Sequence, residues 1–312
     1  MEAKEAIIAN PRRKKWNTNQ ISLGTDILLN IMFLVIIVAC IAPLLLVIAT
    51  SLTDEKELLV EGYKFIPRIF SAKAYEYIAA SGDTIWRAYG VTIFVTLLGT
   101  LLSLLIICMY AYPLSRSGFK QKNLFAFLAY FTMIFGGGLV PWYVVYSQLL
   151  HLNNTIWILI VPYLINAWYV IIMRTFIKTT VHDSIIESAR IDGAGEFRTF
   201  FQIVLPLCKA GLATIGLFVC LQYWNDFYLP LVFLTDNKLF NIQYLMYQTL
   251  LSIQYLAQNS SQFSSSALAL GQMPSESARM AIAVLSIGPI VLAYPFFQKY
   301  FVKGLTIGAV KG

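Results

Sequence analysis

Charge is scarce in this sequence. Only 12% of its 312 residues are Asp, Glu, Lys or Arg, while 58% are hydrophobic and 14% aromatic. Soluble domains carry about a quarter charged residues. A soluble chain so composed would lack the groups to cover its surface, so much of that surface must meet something other than water. A mean hydropathy of +0.67 agrees and excludes a soluble catalytic domain. It also excludes disorder, which needs low hydrophobicity and high charge. The four cysteines, Cys40, Cys108, Cys208 and Cys220, lie in or beside apolar runs with no CxxC spacing. They supply neither a metal nor a disulfide framework and read as small buried hydrophobes. The two histidines, His151 and His182, are far apart, and no HExxH pattern exists. A G-x-x-x-x-G-K-[ST] phosphate loop is also missing, so this chain alone cannot cradle or hydrolyse ATP. No catalytic, metal or cofactor site is expected in it.

What the chain has instead is long apolar runs. A helix needs about 20 apolar residues to cross a hydrocarbon core about 30 Å thick. Six runs qualify: Ile27–Ala49, Val91–Tyr112, Leu124–Val145, Ile156–Ile177, Ala210–Leu234 and Met280–Phe297. The expected fold is therefore all-α, with residues 27–301 in a membrane domain and both termini on one side. Placing the N-terminal tail, residues 1–26, inside puts 16 of the 23 Lys and Arg on the cytoplasmic side. The net charge of +7 is then a topology signal and not a nucleic-acid footprint. Arg12–Lys15 precedes a run too long for a secretory signal, and no small-x-small site follows. Outside lie residues 50–84 and 235–278, the latter with a polar run through Ser260, Ser261, Gln262, Ser264, Ser265 and Ser266. That run reads either as a flexible linker or as a loop reaching a partner. Inside, the one long loop is 178–209, and residues 302–312 form a C-terminal tail.

The inner loop has a distinct pattern. Asp183 is a plausible helix N-cap, with Glu187 close behind it. Ile185, Ile186, Ala189 and Ile191 form an apolar stripe at helical spacing. Gly193 and Gly195 break the helix, and Phe197, Phe200, Phe201, Val204 and Leu205 begin a second series before Pro206. A helix, a glycine bend and another helix outside the bilayer must find headgroups or a protein groove.

Glu187-Ser188-Ala189-Arg190-Ile191-Asp192-Gly193-Ala194, followed by Ile203-Val204-Leu205-Pro206, resembles the EAA loop of ABC importer permeases. Only Ser188 departs from the pattern, replacing a usual alanine. Phe135-Gly136-Gly137-Gly138, Pro141-Trp142-Tyr143, Asn154-Thr155-Ile156-Trp157, Met173-Arg174-Thr175-Phe176 and Tyr223-Trp224-Asn225 look like the carbohydrate-uptake branch. So does the ending, Gln298 to Gly304 and Gly308 to Gly312. Within that branch the chain is similar to MalG-type permeases of the LplC/YtcP group. The resemblance implies a type I importer (MetI-like) fold with a shared core over about 85–301, in a bacterial plasma membrane. It implies a MalF/LplB-type partner permease, two ABC ATPase subunits holding ATP and Mg, an extracellular solute-binding lipoprotein and an oligosaccharide substrate. It assigns ATPase coupling to Glu187, Ser188, Ala189, Asp192, Gly193, Ala194, Gly195 and Pro206. A second contact would come from Gly304, Gly308, Lys311 and Gly312.

Candidates for the substrate path are Asn166, Tyr169, Gln222, Tyr223, Trp224 and Asn225. Side-chain amides bond sugar hydroxyls, and aromatic faces stack on sugar rings. The same residues fit interhelical hydrogen bonds and interfacial belts. Gly136–Gly138 would either bend the helix or permit tight packing. The same importer could carry a peptide or another non-carbohydrate solute. An ion-coupled carrier fits less well, since it would keep ionisable groups near the midplane, and Arg174 and Asp226 sit toward span ends.

Overall fold

The structure is a computed structural model that describes residues 22–80, 82–258 and 276–309. The chain divides into two units, Met1–Leu46 and Val47–Gly312. The first unit consists, among described residues, of most of helix α1, Leu23–Ser51. Its 29 residues span about 43 Å at 1.5 Å per residue. From Ile27 on, α1 carries no charge on any face, as suits a helix surrounded by lipid or protein.

The second unit holds the end of α1 and all later elements. Helices α2 (Glu55–Glu61) and α3 (Lys73–Ala80) fold within the 50–84 segment. The long α4 (Asp83–Ser115) follows, then α5 (Lys122–Ile134) and α6 (Leu139–Val144), which ends in a π turn. After two 3-10 turns come α7 (Ala167–Thr180), α8 (Asp183–Ile191), α9 (Glu196–Thr199) and α10 (Leu205–Leu207). The remaining helices are α11 (Lys209–Trp224), α12 (Tyr228–Phe233), α13 (Ile242–Gln258) and α14 (Glu276–Ala309). Among the described residues there is no strand beyond a single bridge between Thr53 and Phe70.

The core lies where α4 packs against α7 and α11, filled by Ile107, Ile158, Ile160, Val170, Met173, Ile215 and Tyr223. Small residues allow these helices to approach closely. A Cβ on Gly99 would stand 2.6 Å from the Tyr223 ring, and one on Gly211 2.7 Å from the Phe176 ring. Tyr223 is itself pinned, its hydroxyl donating to the Ile160 carbonyl at 2.9 Å. On the other face of α11, the Trp224 indole donates to the Ser286 carbonyl of α14 at 2.9 Å.

The 50–84 segment is anchored by carboxylates. Glu57 accepts from the backbone of Arg68 and Ile69 at 2.9 and 2.7 Å. Glu55 accepts from the first two amides of α14, Glu276 and Ser277, both at 3.0 Å. Those amides have no intrahelical partner, so a side chain 221 residues earlier caps the last helix.

Among the described residues, up to five of the six expected spans pass a length-and-composition test, α14 not being one of them, and three of the five are not straight. Among described residues, α1 and α4 are single helices long and apolar enough to cross a membrane, and three bent pairs pass the same test. The Leu124–Val145 run breaks after Ile134, and the next helix leaves at 116°. Gly138 has φ +83°, and a Cβ on Gly136 or Gly138 would touch nothing within 4 Å. The positive φ of Gly138 ties the triple glycine to the bend, and within this chain no helix packs closely on Gly136 or Gly138. The Ile156–Ile177 run starts as 3-10 turns and bends by 53° before α7. Asn166, expected at mid-span, is the N-cap of α7, accepting from Trp168 N at 2.9 Å. The Ala210–Leu234 run stops at Trp224. Asp226 then accepts from the amides of Tyr228 and Leu229 at 3.1 and 3.3 Å and starts α12. The Met280–Phe297 run lies inside α14, which continues through Gly304 and Gly308 to Ala309. The 235–278 segment, expected as a loop, contains α13, 17 residues long. Its serine run lies outside the described residues.

Candidate functional site

The 178–209 loop is built as the sequence suggests, with one correction. Helix α8 begins at Asp183, so His182 is the N-cap residue and makes no side-chain cap bond. Asp183 is used elsewhere. It accepts from Arg116 Nη1 at 3.1 Å and Ser117 Oγ at 3.3 Å, tying the start of α8 to the end of α4. Arg116 is buried, and its remaining donors reach Ser115 Oγ and the Val181 carbonyl. From α7, Arg174 Nε donates to the Leu114 carbonyl at 3.1 Å.

Helix α8 ends in a Schellman motif. Gly193 N–H donates to the Arg190 carbonyl at 3.0 Å and Ala194 N–H to the Ala189 carbonyl at 2.9 Å. Such a close requires a left-handed residue, and Gly193 supplies φ +79°. Gly195 then serves as N-cap of α9. Across this bend the Glu196 carboxylate accepts from Arg190 Nη2 at 2.6 Å and from the Tyr112 hydroxyl at 3.0 Å. The Arg190 guanidinium holds Glu196 below its ordinary value of 4.5; burial opposes this, and the Tyr112 hydroxyl adds to it. The second arm runs through a π turn and Pro206 to Cys208, where the chain turns 81° into α11.

Of the coupling residues, Ala189 is buried against the body and Ala194 half-buried. Glu187, Ser188, Asp192, Gly193, Gly195 and Pro206 are exposed. The expected apolar stripe splits: Ile186 joins Ala189 in the interior, whereas Ile191 is 86% exposed and Phe197 73%. Two apolar side chains this open flank the glycine bend. Beside them a cavity of about 540 Å³ is lined by Tyr112, Pro113, Arg116, Ile186, Glu187, Phe197 and Phe200. The tail residues Lys311 and Gly312 lie outside the described residues.

The candidate path residues separate. Tyr223 and Trp224 are buried with their polar atoms bonded inside the chain, so in this structure they offer nothing to a solute. Asn166 spends its carbonyl oxygen on the α7 cap. Tyr169 is half-buried and stacks on Phe218. Gln222 is half-buried, with no side-chain hydrogen bond among the described residues. Asn225 is exposed, its amide donating to the Leu221 carbonyl. Sequence reasoning missed two features. One is the pair of clamps through Arg116 and Tyr112, whose partners are distant in sequence. The other is an aromatic group after the glycine bend, where Trp142 and Tyr143 meet Phe233 at 4.8 and 5.3 Å. Only the aromatic content of those segments hinted at it.

Residues 115–307 match the family model for the binding-protein-dependent transport system inner membrane component. The chain is 36% identical to the polygalacturonan/rhamnogalacturonan transport system permease protein YtcP of Bacillus subtilis (strain 168), over 92% of this chain and 98% of the relative. It is also 36% identical to protein LplC of the same organism, over 87% and 90%. Among solved structures it is similar to a chain of a bacterial ABC transporter involved in the import of the acidic polysaccharide alginate. There the TM-score is 0.78 at 26% identity, covering 91% of this chain and all of that one. With its apolar helices and this likeness along most of its length, the chain belongs to the inner membrane components of binding-protein-dependent transport systems, the permeases of ABC importers.

Proposed function

We propose that this permease carries oligosaccharides inward, pairing with a second permease of the MalF/LplB type and driven by two ATPase subunits that supply ATP and Mg. An extracellular binding lipoprotein would deliver the solute. The likeness to YtcP over nearly the full length of both chains carries the substrate reading. The gathering of basic residues supports a cytoplasmic position for both termini and the 178–209 loop. The coupling role rests on the glycine bend. Its exposed faces, Glu187, Asp192, Ile191 and Phe197, are free to meet an ATPase, while Ala189 and Ile186 hold α8 to the body. The Asp183–Arg116 and Glu196–Tyr112 contacts would pass any displacement of the loop to the end of α4. Gly304, Gly308, Lys311 and Gly312 are the proposed second contact. Among the path residues, Tyr169, Gln222 and Asn225 retain surface for a solute.

The test is ATP hydrolysis by the reconstituted complex with its binding lipoprotein, across neutral, acidic and N-acetylated oligosaccharides and a peptide. Stimulation by one glycan class is expected. Stimulation by the peptide alone would overturn the carbohydrate assignment.

A further inference from the structure

A second, smaller cavity of about 220 Å³ lies at the ends of α4, α5 and α7, and the coupling argument uses its Arg116–Asp183 pair but not its other cations. It is lined by Lys122, Arg174, Lys178, Arg116, Asp183 and Ser117, among others. Asp183 is its one carboxylate, and Arg116 already pairs with it. Lys122, Arg174 and Lys178 have no carboxylate within 4.0 Å among the described residues. Among the described residues, Arg174 spends only Nε, on the Leu114 carbonyl. Three cations thus converge on one polar hollow whose single carboxylate, Asp183, is already paired with Arg116. By the roughly 30 Å³ that a water takes in the liquid, the space accommodates a phosphate group.

The surroundings give the source of that phosphate. Lys122 opens α5, and from it Leu124, Phe127, Leu128 and Phe131 continue along the helix as exposed apolar side chains. A charged hollow at a helix end with a bare hydrocarbon face running away from it has the layout of a lipid: headgroup at one end, acyl chain along the other. Basic pockets between membrane helices on the cytoplasmic side hold anionic headgroups in this way, and phosphate accepts charge-assisted hydrogen bonds from Lys and Arg.

We infer that Lys122, Arg174 and Lys178 bind the phosphate of an anionic phospholipid of the inner leaflet. The leaflet rests on the topology proposed above, but the binding does not, so the test uses a readout blind to sidedness. The intact complex with its partner subunits is exchanged into nanodiscs of equal phosphatidylglycerol and phosphatidylcholine, and the lipid retained on it is counted by native mass spectrometry. Each charge removed should cost about fivefold in phosphatidylglycerol preference. The Lys122→Gln, Arg174→Gln and Lys178→Gln triple variant should lose the preference, while Lys122→Arg with Lys178→Arg keeps it. Lys120→Gln, outside the cavity, should behave as wild type. Equal retention by wild type and triple variant would overturn the inference. Binding of added inorganic phosphate with no lipid preference would overturn the lipid source. Loss of the ATPase subunits from the triple variant, with lipid preference intact, would reassign the cluster to a protein contact. The mass of the intact complex reports in the same spectrum whether each variant assembles.

Discussion

Replacing Gly193 separates backbone geometry from side-chain contact in the coupling loop. A Cβ there would meet nothing within 4 Å, yet φ is +79°, so the cost of a side chain is conformational. An L-residue held in that region costs about 1–2 kcal/mol, less for Asn, which tolerates it, and more for a β-branched residue. The chain could escape by turning φ negative. It would then lose the two Schellman bonds at 3.0 and 2.9 Å, each contributing about 0.5–1.5 kcal/mol. Either route costs roughly 1–3 kcal/mol. Gly193→Ala takes the cheaper route, at about 1–2 kcal/mol, so the equilibrium between this bend and competing ones should shift about 5- to 30-fold. The assay is the ratio of solute imported to ATP hydrolysed in proteoliposomes containing the complex and its binding lipoprotein. Coupling should fall in the order Gly, Asn, Ala, Val, while the lipoprotein's own affinity for solute stays unchanged. Full coupling in Gly193→Ala, or Asn no better than Val, would refute the argument.

Gly99→Ala should destabilise the chain by about 1–3 kcal/mol, because the new methyl would sit 2.6 Å from a ring that cannot retreat without losing its bond to Ile160. Thermal unfolding in detergent checks this, and the penalty should shrink in a Tyr223→Leu background. Glu196 should make the bend acid-sensitive. Its lowered pKa means that its contribution is complete above the ordinary value of 4.5 and fades as pH falls through the folded value. Hydrogen exchange at residues 190–197 should speed up only below that point, and Glu196→Gln should remove the acid step.

Apolar runs and charge bias were enough to locate the helices, because hydrophobic length is set by the bilayer and is written directly in composition. They did not show where a run changes direction. Gly136–Gly138 announced a break but left its purpose open until Gly138 was seen with positive φ and open space around it. The turn at Cys208 has no glycine, and only Pro206 nearby marks it. Helix α13, Ile242–Gln258, is not legible because its segment is shared with a polar serine run that carries the stronger loop signal. The coupling bend was legible, since Asp192-Gly193-Ala194 is a local C-terminal signal. Arg116 and Tyr112 were not, because their partners lie 67 and 84 residues away. Asn166, Tyr223 and Trp224 misled for a related reason: a polar atom inside an apolar run shows that a partner is needed but not whether the chain provides it.

The cap that Glu55 places on α14 also bears on the order of synthesis. Residue 55 leaves the ribosome well before its donors, the amides of Glu276 and Ser277, which emerge 221 and 222 residues later. Until then that carboxylate and the 50–84 segment around it must wait without their anchor, while α4 through α13 are made and inserted. A segment that precedes α4 is therefore among the last to be locked. A nascent chain halted before α14 would hold its α4–α7–α11 core but leave that early segment open to whatever quality control surveys unfinished membrane proteins.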